Sequence, residues 1–336
     1  MFALQWPASL LPTQKEAKLS APQKQLQQQQ QQQQQHITIP QYELLLRKTM
    51  KDIGVVASSH QKPCQEITER ILSQIRGATA DQRLAQAVSK VGALVAIYFY
   101  PTHNQHIQII IGLYTAVYLV LDDTGHTMLD DISQFRRRLV ENKEQQPALF
   151  QLLSYLFDQF DQYFPSFVAN KLFSGVLTSL SSLEVELDRS SDFPALTSKL
   201  FPKYFRNMNG SSEAYVYFIL TKENYSMNRL KQFLGAVPEL WNITDEVNDL
   251  MSFYKESLIA SERDTYVYYQ AQTQATSIYE TLHTLSLQIS HRYEALQRIL
   301  ADDAALRELV EGYVVGQMQF YLTSERYRLV ELDLVL

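Results

Sequence analysis

Apolar residues recur every three to four positions over most of the chain after residue 36, which is the spacing of amphipathic helices. Alternation of apolar and polar residues, the pattern of a half-buried strand, never runs long enough to build a sheet. Gly (10) and Pro (11) are scarce for 336 residues, which favours long helices over many turns. The sequence therefore predicts an all-α fold with helices at 41–53, 64–76, 84–100, 106–121, 132–141, 147–164, 168–187, 211–221, 233–257, 266–298 and 302–327.

The predicted helix at 106–121 is apolar nearly all round, which indicates a helix buried inside a bundle. Its apolar run at 109–121 is too short to span a bilayer, so we predict no membrane span. Asp122 and Asp123 follow at its C-terminal end. Two adjacent carboxylates at the negative end of a buried helix repel each other and the helix dipole, so they need a cationic partner.

Residues 1–36 differ from the rest of the chain because they are polar, punctuated by proline, and end in a glutamine tract at 27–35. Such a segment cannot bury apolar surface. We therefore predict a disordered extension with a poly-Gln tract at 1–36 and a single folded domain at 37–336. A partner-binding role for the tract is the alternative to a neutral extension.

Charge and cysteine content narrow the function classes. The 30 basic and 36 acidic side chains give a net charge of −6, which argues against nucleic-acid binding through general electrostatics. Cys64 is the single cysteine, so an intramolecular disulfide, a CxxC redox pair and a thiolate-rich zinc site are excluded. The N-terminus lacks a basic segment followed by an apolar one, so we predict no signal peptide and a cytoplasmic protein.

A polar stripe formed by Asn248, Ser252 and Glu256 crosses the predicted helix at 233–257. Each step of four residues turns about 40° past a full circle, so the three side chains share one face. Their amide, hydroxyl and carboxylate oxygens are hard donors that Mg²⁺ accepts, and the neighbouring Lys255 suits a phosphate. A single polar stripe is more often a solvated helix face, so the motif gains weight only from a second acidic site.

That second site is the Asp122-Asp123 pair, and the two motifs together resemble the metal sites of class I terpene cyclases. The chain closely resembles the fungal trichodiene synthase family in four motifs that keep the family's order over roughly residues 85–330. The motifs are Leu119-Val120-Leu121-Asp122-Asp123; Phe201-Pro202 with Arg206, Met208, Asn209 and Gly210; the run from Asn248 to Glu256 with Glu262-Arg263-Asp264; and Arg326-Tyr327-Arg328-Leu329.

The resemblance implies a class I terpenoid synthase α-helical bundle, a sesquiterpene synthase that ionises farnesyl diphosphate and cyclises the resulting carbocation. It also implies three Mg²⁺ ions, of which Asp122 would ligate two. Asn248, Ser252 and Glu256 would ligate the third. A homodimer is a further expectation.

The resemblance also implies which groups bind the diphosphate. Arg206, Lys255 and Arg326 would grip it, and Tyr327 would add a hydroxyl donor. Asp123 would pair with Arg326 when the site closes, which supplies the cation that the buried acidic pair requires.

The implied carbocation needs a dry pocket that stabilises positive charge without offering a nucleophile, and aromatic faces do both. Candidate lining lies on the helices that flank the motifs, although ordinary core packing is the commoner role for any single aromatic side chain. The candidates are Tyr98, Phe99, Tyr114, Tyr118, Tyr217 and Phe218.

The acidic motif departs from the family pattern, because no third acid follows Asp122-Asp123 within the next residues and the pair Asp130-Asp131 comes later. His126 is either a donor to a metal-bound water or an exposed loop histidine. Two other functions are weighed against a cyclase. A prenyltransferase needs a second aspartate-rich motif where this chain has Asn, Ser and Glu. An inactive helical scaffold has no use for an intact set of metal and diphosphate residues. The product is trichodiene or another cyclic sesquiterpene.

Overall fold

The structure, a computed structural model, describes residues 37–56, 61–187, 198–209 and 212–334. Within these ranges the chain is helical and contains no β-strand, so the all-α prediction is confirmed. The predicted extension at 1–36 and Gly210 of the second family motif lie outside the described residues. The α-helices are α1 Ile39–Ile53, α2 Gln65–Ile75, α3 Gln82–Phe99, α4 Gln105–Thr124, α5 Leu129–Val140, α6 Ala148–Tyr163, α7 Ser166–Leu187, α8 Phe201–Asn209, α9 Ser212–Tyr217, α10 Met227–Phe253, α11 Tyr266–Gln274, α12 Ile278–Ile299 and α13 Ala304–Thr323.

Side-chain caps fix where the helices that carry the site begin. Asn104 accepts a hydrogen bond from the backbone N–H of Ile107 at the start of α4. Ser226 caps α10 and Asp303 caps α13 in the same way. Each cap satisfies an N–H group that has no partner within its own helix.

Four predicted helices differ from the structure. Those predicted at 211–221 and 302–327 end earlier, at Tyr217 and Thr323. The prediction of one helix over 266–298 is wrong, because the chain breaks between α11 and α12 at Ala275, whose φ of 56° is left-handed. The helix predicted to end at 257 instead changes at Tyr254 into a π-helical turn, Tyr254–Ile259. This turn carries Lys255 and Glu256, so the site lies at a local change of helix geometry.

Helix α4 lies at the centre of the bundle, packed against α2, α3 and α6. Gly92 of α3 and Gly112 of α4 face each other so closely that a Cβ on Gly92 would collide with the carbonyl of Gly112, and a Cβ on Gly112 would collide with the side chain of Ile71. The segment Gln105–Thr127 is long and apolar enough to cross a membrane, but 72% of its most apolar window is buried inside the protein. Burial of this kind is typical of a core helix.

Helix α13 lies between α3 and α10 and packs against both. Its Gly316 touches the backbone of α3, where a Cβ would overlap the carbonyl of Tyr98. The short 3₁₀ turn Glu325–Tyr327 that follows α13 contacts the π-helical turn after α10. The end of α10 and the residues after α13 therefore lie side by side.

Candidate active site

Asp122 lies in the last turn of α4. The residue is partly exposed, but its Oδ2 is buried and has no hydrogen-bond partner among the described residues. Burial raises the pKa of Asp122 to about 7, Arg326 and Lys255 oppose this increase, and Asp123 adds to it. Asp122, Lys255 and Arg326 therefore lie within electrostatic reach of one another, and the Asp122 oxygen is left to accept a cation.

The residues after Asp122 are more open. Asp123 and His126 are exposed. Asp131 pairs with Arg138 at 2.7 Å, and Asp130 is exposed at the start of α5. The later acidic pair is thus placed on a separate helix, with one of its members already paired.

The polar stripe continues from α10 into the π-helical turn. Asn248 and Ser252 lie on α10, and Glu256 lies in the turn. The hydroxyl of Ser252 donates to Oε2 of Glu256 at 3.0 Å, which leaves Oε1 buried without a hydrogen-bond partner in the described part of the chain. Burial raises the pKa of Glu256 to about 7, with Lys255 opposing and Glu262 adding to the increase.

A tyrosine pair connects the stripe to the end of α13. The side-chain amide of Asn248 donates to the hydroxyl of Tyr321 at 2.9 Å. The ring centroids of Tyr321 and Tyr327 are 4.5 Å apart, and both residues are buried. This arrangement fixes which way the Asn248 amide faces and places Tyr327 beside the stripe.

Arg206 enters the same region from α8 and is buried. Its Nη2 donates to Oδ1 of Asn248 at 2.7 Å. Its Nε donates to both carboxylate oxygens of Asp249, at 2.9 and 3.2 Å. Its Nη1 lies 3.3 Å from Oδ1 of Asp245, which Lys203 and Ser212 also contact. Arg206, which is predicted to bind diphosphate, is therefore hydrogen-bonded to Asn248, which is predicted to bind metal.

Lys255 and Arg326, the other two predicted diphosphate cations, are partly buried. The carboxyl group of Glu262 interacts electrostatically with both Lys255 and Arg326. Burial raises the pKa of Glu262, and the charges of Lys255 and Arg326 both oppose that rise. Its Oε2 is buried without a hydrogen-bond partner among the described residues, and its backbone N–H donates to the carbonyl of Glu256 at 2.8 Å.

Four of the six candidate lining residues belong to one connected aromatic cluster. The ring centroids of Tyr114 lie 4.7 Å from Tyr118 and 5.3 Å from Phe218. Tyr215, 5.6 Å from Tyr114 and 6.1 Å from Phe99, joins all four. Tyr118 precedes Asp122 by one helical turn, so it lies on the side of α4 that faces the acidic residues.

The other two candidates point elsewhere. The ring of Tyr98 lies under the ammonium group of Lys62, 4.7 Å from its centroid, and its hydroxyl accepts the backbone N–H of that lysine. Tyr217 packs against Phe167 and Phe233, with centroid distances of 6.1 Å. These positions suit packing between helices rather than the cluster near Asp122.

Sequence reasoning missed the residues that support the site. Asp245 and Asp249 are spaced i, i+4 on α10, where two like charges destabilise a helix unless a cation lies between them. That spacing was a usable signal for a buried arginine. Tyr321 and Tyr215 lacked any comparable pattern, whereas Glu262 was named as part of a family motif but was given no role.

The donor set fits a divalent cation. Asp122 Oδ2 and Glu256 Oε1 are buried oxygens without hydrogen-bond partners among the described residues, an unfavourable state that a hard cation relieves. Over the described ranges, no three His, Cys, Asp or Glu side chains meet at one metal position. Mg²⁺ commonly takes one or two carboxylates and completes its shell with water and substrate phosphate, so this spread of ligands is compatible with it.

Comparison with solved structures defines the class of fold. The chain is similar to hedycaryol synthase in complex with nerolidol, with a TM-score of 0.60, 13% identity, and coverage of 80% of this chain and 98% of that one. It is also similar to linalool/nerolidol synthase from Streptomyces clavuligerus in complex with 2-fluorogeranyl diphosphate, with a TM-score of 0.61, 12% identity, and coverage of 81% and 99%. The fold is that of the class I terpene synthases.

Sequence comparison places the chain more narrowly. The profile of the trichodiene synthase family matches residues 48–333. Terpene synthase BipA of Cochliobolus sativus is 26% identical over 305 residues, 87% of this chain and 91% of that protein. Trichodiene synthase of Paramyrothecium roridum is 26% identical over 80% of this chain and 68% of its own length. The chain belongs to the trichodiene synthase family, and the predicted family, fold and enzyme class are confirmed.

Membership of this family makes the chain a terpene cyclase. It also implies a requirement for divalent metal and a prenyl diphosphate substrate. A third relative, the (E)-beta farnesene synthase of Metarhizium brunneum, is 25% identical over 72% of this chain and 74% of that protein. Relatives that share the reaction class thus carry different product names.

Proposed function

We propose that this enzyme ionises farnesyl diphosphate and cyclises the C15 carbocation to a cyclic sesquiterpene, releasing diphosphate. One observation carries the proposal. Two buried carboxylate oxygens, on Asp122 and Glu256, have no hydrogen-bond partner in the part of the chain that the structure describes. They come from different helical segments and share the cation Lys255 as an electrostatic neighbour. Such a pair of acids beside a lysine suits metal ions and a diphosphate at one place.

Asp122 on one side of the site, and Asn248, Ser252 and Glu256 on the other, hold Mg²⁺ in this proposal. Three ions are expected, by resemblance to the family. Bound Mg²⁺ supplies neutralisation of the charge that develops on the departing diphosphate. The Ser252 hydroxyl orients Glu256, and the Tyr321 hydroxyl orients the amide of Asn248.

The remaining charge on diphosphate is met by protein groups. Arg206, Lys255 and Arg326 donate charge-assisted hydrogen bonds to it, and Tyr327 adds a neutral donor. These donors act on the leaving group and stabilise it more as its charge increases. Asp123 pairs with Arg326 on closure in this scheme, which keeps that guanidinium aimed inward.

The aromatic cluster acts after the bond breaks. Phe99, Tyr114, Tyr118 and Phe218 present buried rings that exclude water and stabilise a passing carbocation through their π faces. The sequence of ring closures depends on pocket contour, so trichodiene and other cyclic sesquiterpenes remain alternative products. We also propose a single catalytic domain at 37–336, a homodimer and a cytoplasmic location, as the sequence predicts.

The test is incubation of the purified protein with farnesyl diphosphate and Mg²⁺, followed by gas chromatography and mass spectrometry of the volatile fraction. A cyclic C15 hydrocarbon or alcohol that disappears with EDTA is the expected result. Farnesol alone contradicts the cyclisation step, because it means ionisation in a pocket that admits water. A product longer than the supplied substrate indicates a prenyltransferase. No consumption of farnesyl, geranyl or geranylgeranyl diphosphate overturns the proposal.

A further inference from the structure

All three nitrogens of the Arg206 guanidinium contact neighbouring side chains. They contact the amide oxygen of Asn248 and the carboxylates of Asp249 and Asp245 at 2.7 to 3.3 Å. Only 7% of the residue is exposed. Arg206 therefore has to exchange at least some of these partners before it can bind diphosphate.

Oδ1 of Asn248 is the oxygen that the proposed function gives to a metal ion, and Arg206 donates to that atom. The amide nitrogen of Asn248 donates to the hydroxyl of Tyr321. Rotating the amide to move Oδ1 away from Arg206 would therefore break this hydrogen bond. A guanidinium and a divalent cation on one buried amide oxygen repel each other strongly. A metal ion therefore cannot bind the Asn248 oxygen while Arg206 donates to it.

Asp249 is the residue that holds Arg206 in this position. Its two oxygens both accept from Nε, and its carboxylate is 9% exposed. While Nε is bound to Asp249, Nη2 of the same guanidinium donates to Asn248, so the two contacts share one position of Arg206. Asp245 shares its charge with Lys203 and Ser212, and its contact with Arg206 is longer, at 3.3 Å.

We propose that Asp249 is a positioning residue that holds Arg206 across the metal-binding oxygen of Asn248 until diphosphate is present. This proposal rests on the proposed function, because it takes the metal role of Asn248 and the diphosphate role of Arg206 from it. Diphosphate recruits Arg206, and the departure of Arg206 exposes the Asn248 oxygen. The cation and diphosphate therefore bind with positive coupling, and by linkage each raises the affinity of the other.

The experiment measures binding of Mn²⁺, as a paramagnetic substitute for Mg²⁺, to the full chain with and without inorganic diphosphate. The test variant is Asp249→Asn, which keeps size and one acceptor oxygen but removes the charge that retains Arg206. We expect Mn²⁺ affinity without diphosphate to rise about fivefold or more, and the enhancement by diphosphate to shrink by a similar factor.

The sign of the change separates this role from general electrostatics. Removing a negative charge near a cation site lowers cation affinity, so an increase requires release of the Asn248 oxygen. Glu246→Gln is the matched control. Glu246 is a buried acid on the same helix, but its partner is Arg292, at 2.9 Å. We expect this control to leave Mn²⁺ affinity unchanged or slightly lower. An Asp249→Asn protein that behaves like Glu246→Gln overturns the proposal.

A second comparison does not depend on folding of the Asp249 variant. In the absence of diphosphate, Ser252→Ala should weaken Mn²⁺ binding only slightly, because Arg206 covers the Asn248 oxygen beside it. With diphosphate the same substitution should weaken binding several-fold more, since Asn248, Ser252 and Glu256 then bind the ion together. Equal weakening under both conditions overturns the proposal.

Failure of the proposed function looks different from failure of this inference. A wild-type protein that turns over farnesyl diphosphate, but whose Asp249→Asn variant shows no gain in Mn²⁺ affinity, retains the proposed function and loses the positioning role. A wild-type protein that neither consumes prenyl diphosphate nor binds Mn²⁺ with diphosphate loses both.

Discussion

Ser252 and Glu256 are hydrogen-bonded at 3.0 Å although they belong to different helical geometries, Ser252 to α10 and Glu256 to the π-helical turn that follows. The bond uses Oε2 and leaves Oε1 of Glu256 buried without a hydrogen-bond partner in the described chain. π-Helical turns are frequent at functional sites because they re-aim a side chain relative to the preceding helix. Here the turn holds the Glu256 carboxylate in a buried position. This position lowers the stability of the fold but suits the binding of a cation.

Replacing Glu256 should therefore separate activity from stability. We expect Glu256→Gln to lower turnover of farnesyl diphosphate about 100-fold or more, because a charged metal ligand is lost. In EDTA at pH 8, the free energy of unfolding should rise by about 1–3 kcal/mol, because a buried ionised group becomes neutral. Urea titration and product analysis measure the two effects.

Glu294→Gln is the control for that experiment, since Glu294 is an exposed acid of α12 whose side chain is 68% accessible. It should change neither activity nor stability measurably. Asp122→Ala should also abolish turnover with little change in fold. Retained turnover in both Asp122→Ala and Glu256→Ala contradicts the proposed metal site.

The pKa values of Asp122 and Glu256, both raised to about 7 by burial, predict how pH acts on the metal-free protein. The folded chain retains two protons that the unfolded chain loses near pH 4 to 4.5. The contribution of these groups to stability is therefore fully present below that range. It falls as pH rises and levels off above about 7.

Mg²⁺ binds the ionised carboxylates, so its affinity should show the opposite trend. Stabilisation by Mg²⁺ and diphosphate should increase as pH rises to about 7 and then remain constant. Thermal unfolding at pH values from 5.5 to 8, with ligand and with EDTA, tests both trends. Equal stabilisation by ligand at pH 5.5 and pH 8 would be incompatible with proton competition at these two acids.

The helices could be predicted from sequence because the spacing of apolar residues is a local property. Their breaks were harder to find. The break after Ala275 contains neither Gly nor Pro, the usual markers of a helix end. A signal was nevertheless present, since Ser277 and Glu280 form a capping box at the start of α12.

The candidate site divides in the same way. Asn248, Ser252 and Glu256 form a pattern within one segment, so their common face could be predicted. The contact between Arg206 and Asp249 joins residues 43 positions apart and depends on how α8 packs near α10. Periodicity carries no information on such a packing arrangement.

The close contact of α13 with α3 predicts opposite effects of alanine at two glycines. At Gly316 a Cβ would overlap the carbonyl of Tyr98, so Gly316→Ala should lower the free energy of unfolding by about 1–3 kcal/mol or more. At Gly235 of α10, the nearest atom of a described residue to a Cβ is on the side chain of Ile299, at 3.8 Å. Gly235→Ala should raise stability by about 0.5–1 kcal/mol. Urea titration of both variants measures the difference, and equal effects would contradict the close approach.

The aromatic cluster predicts which tyrosine influences the product. Tyr118 belongs to the cluster and lies one turn before Asp122, whereas Tyr217 packs between Phe167 and Phe233. We expect Tyr118→Leu to change the product mixture and to lower turnover about 10-fold, because a desolvated π face contributes on the order of 1–2 kcal/mol to a cation beside it. Gas chromatography and mass spectrometry of the products of Tyr118→Leu and of the unmodified enzyme measure the change.

Tyr217→Leu is the matched control for Tyr118→Leu, since it removes a buried tyrosine ring outside the cluster. It should lower stability while leaving the ratio of products unchanged. The distinction matters because loss of packing affects every product equally, whereas loss of a cation-stabilising face affects only the pathways whose charge passes near it. If Tyr217→Leu changed the product ratio and Tyr118→Leu did not, the prenyl substrate would bind on the Tyr217 side of α9, and the predicted role of Tyr118 would be wrong.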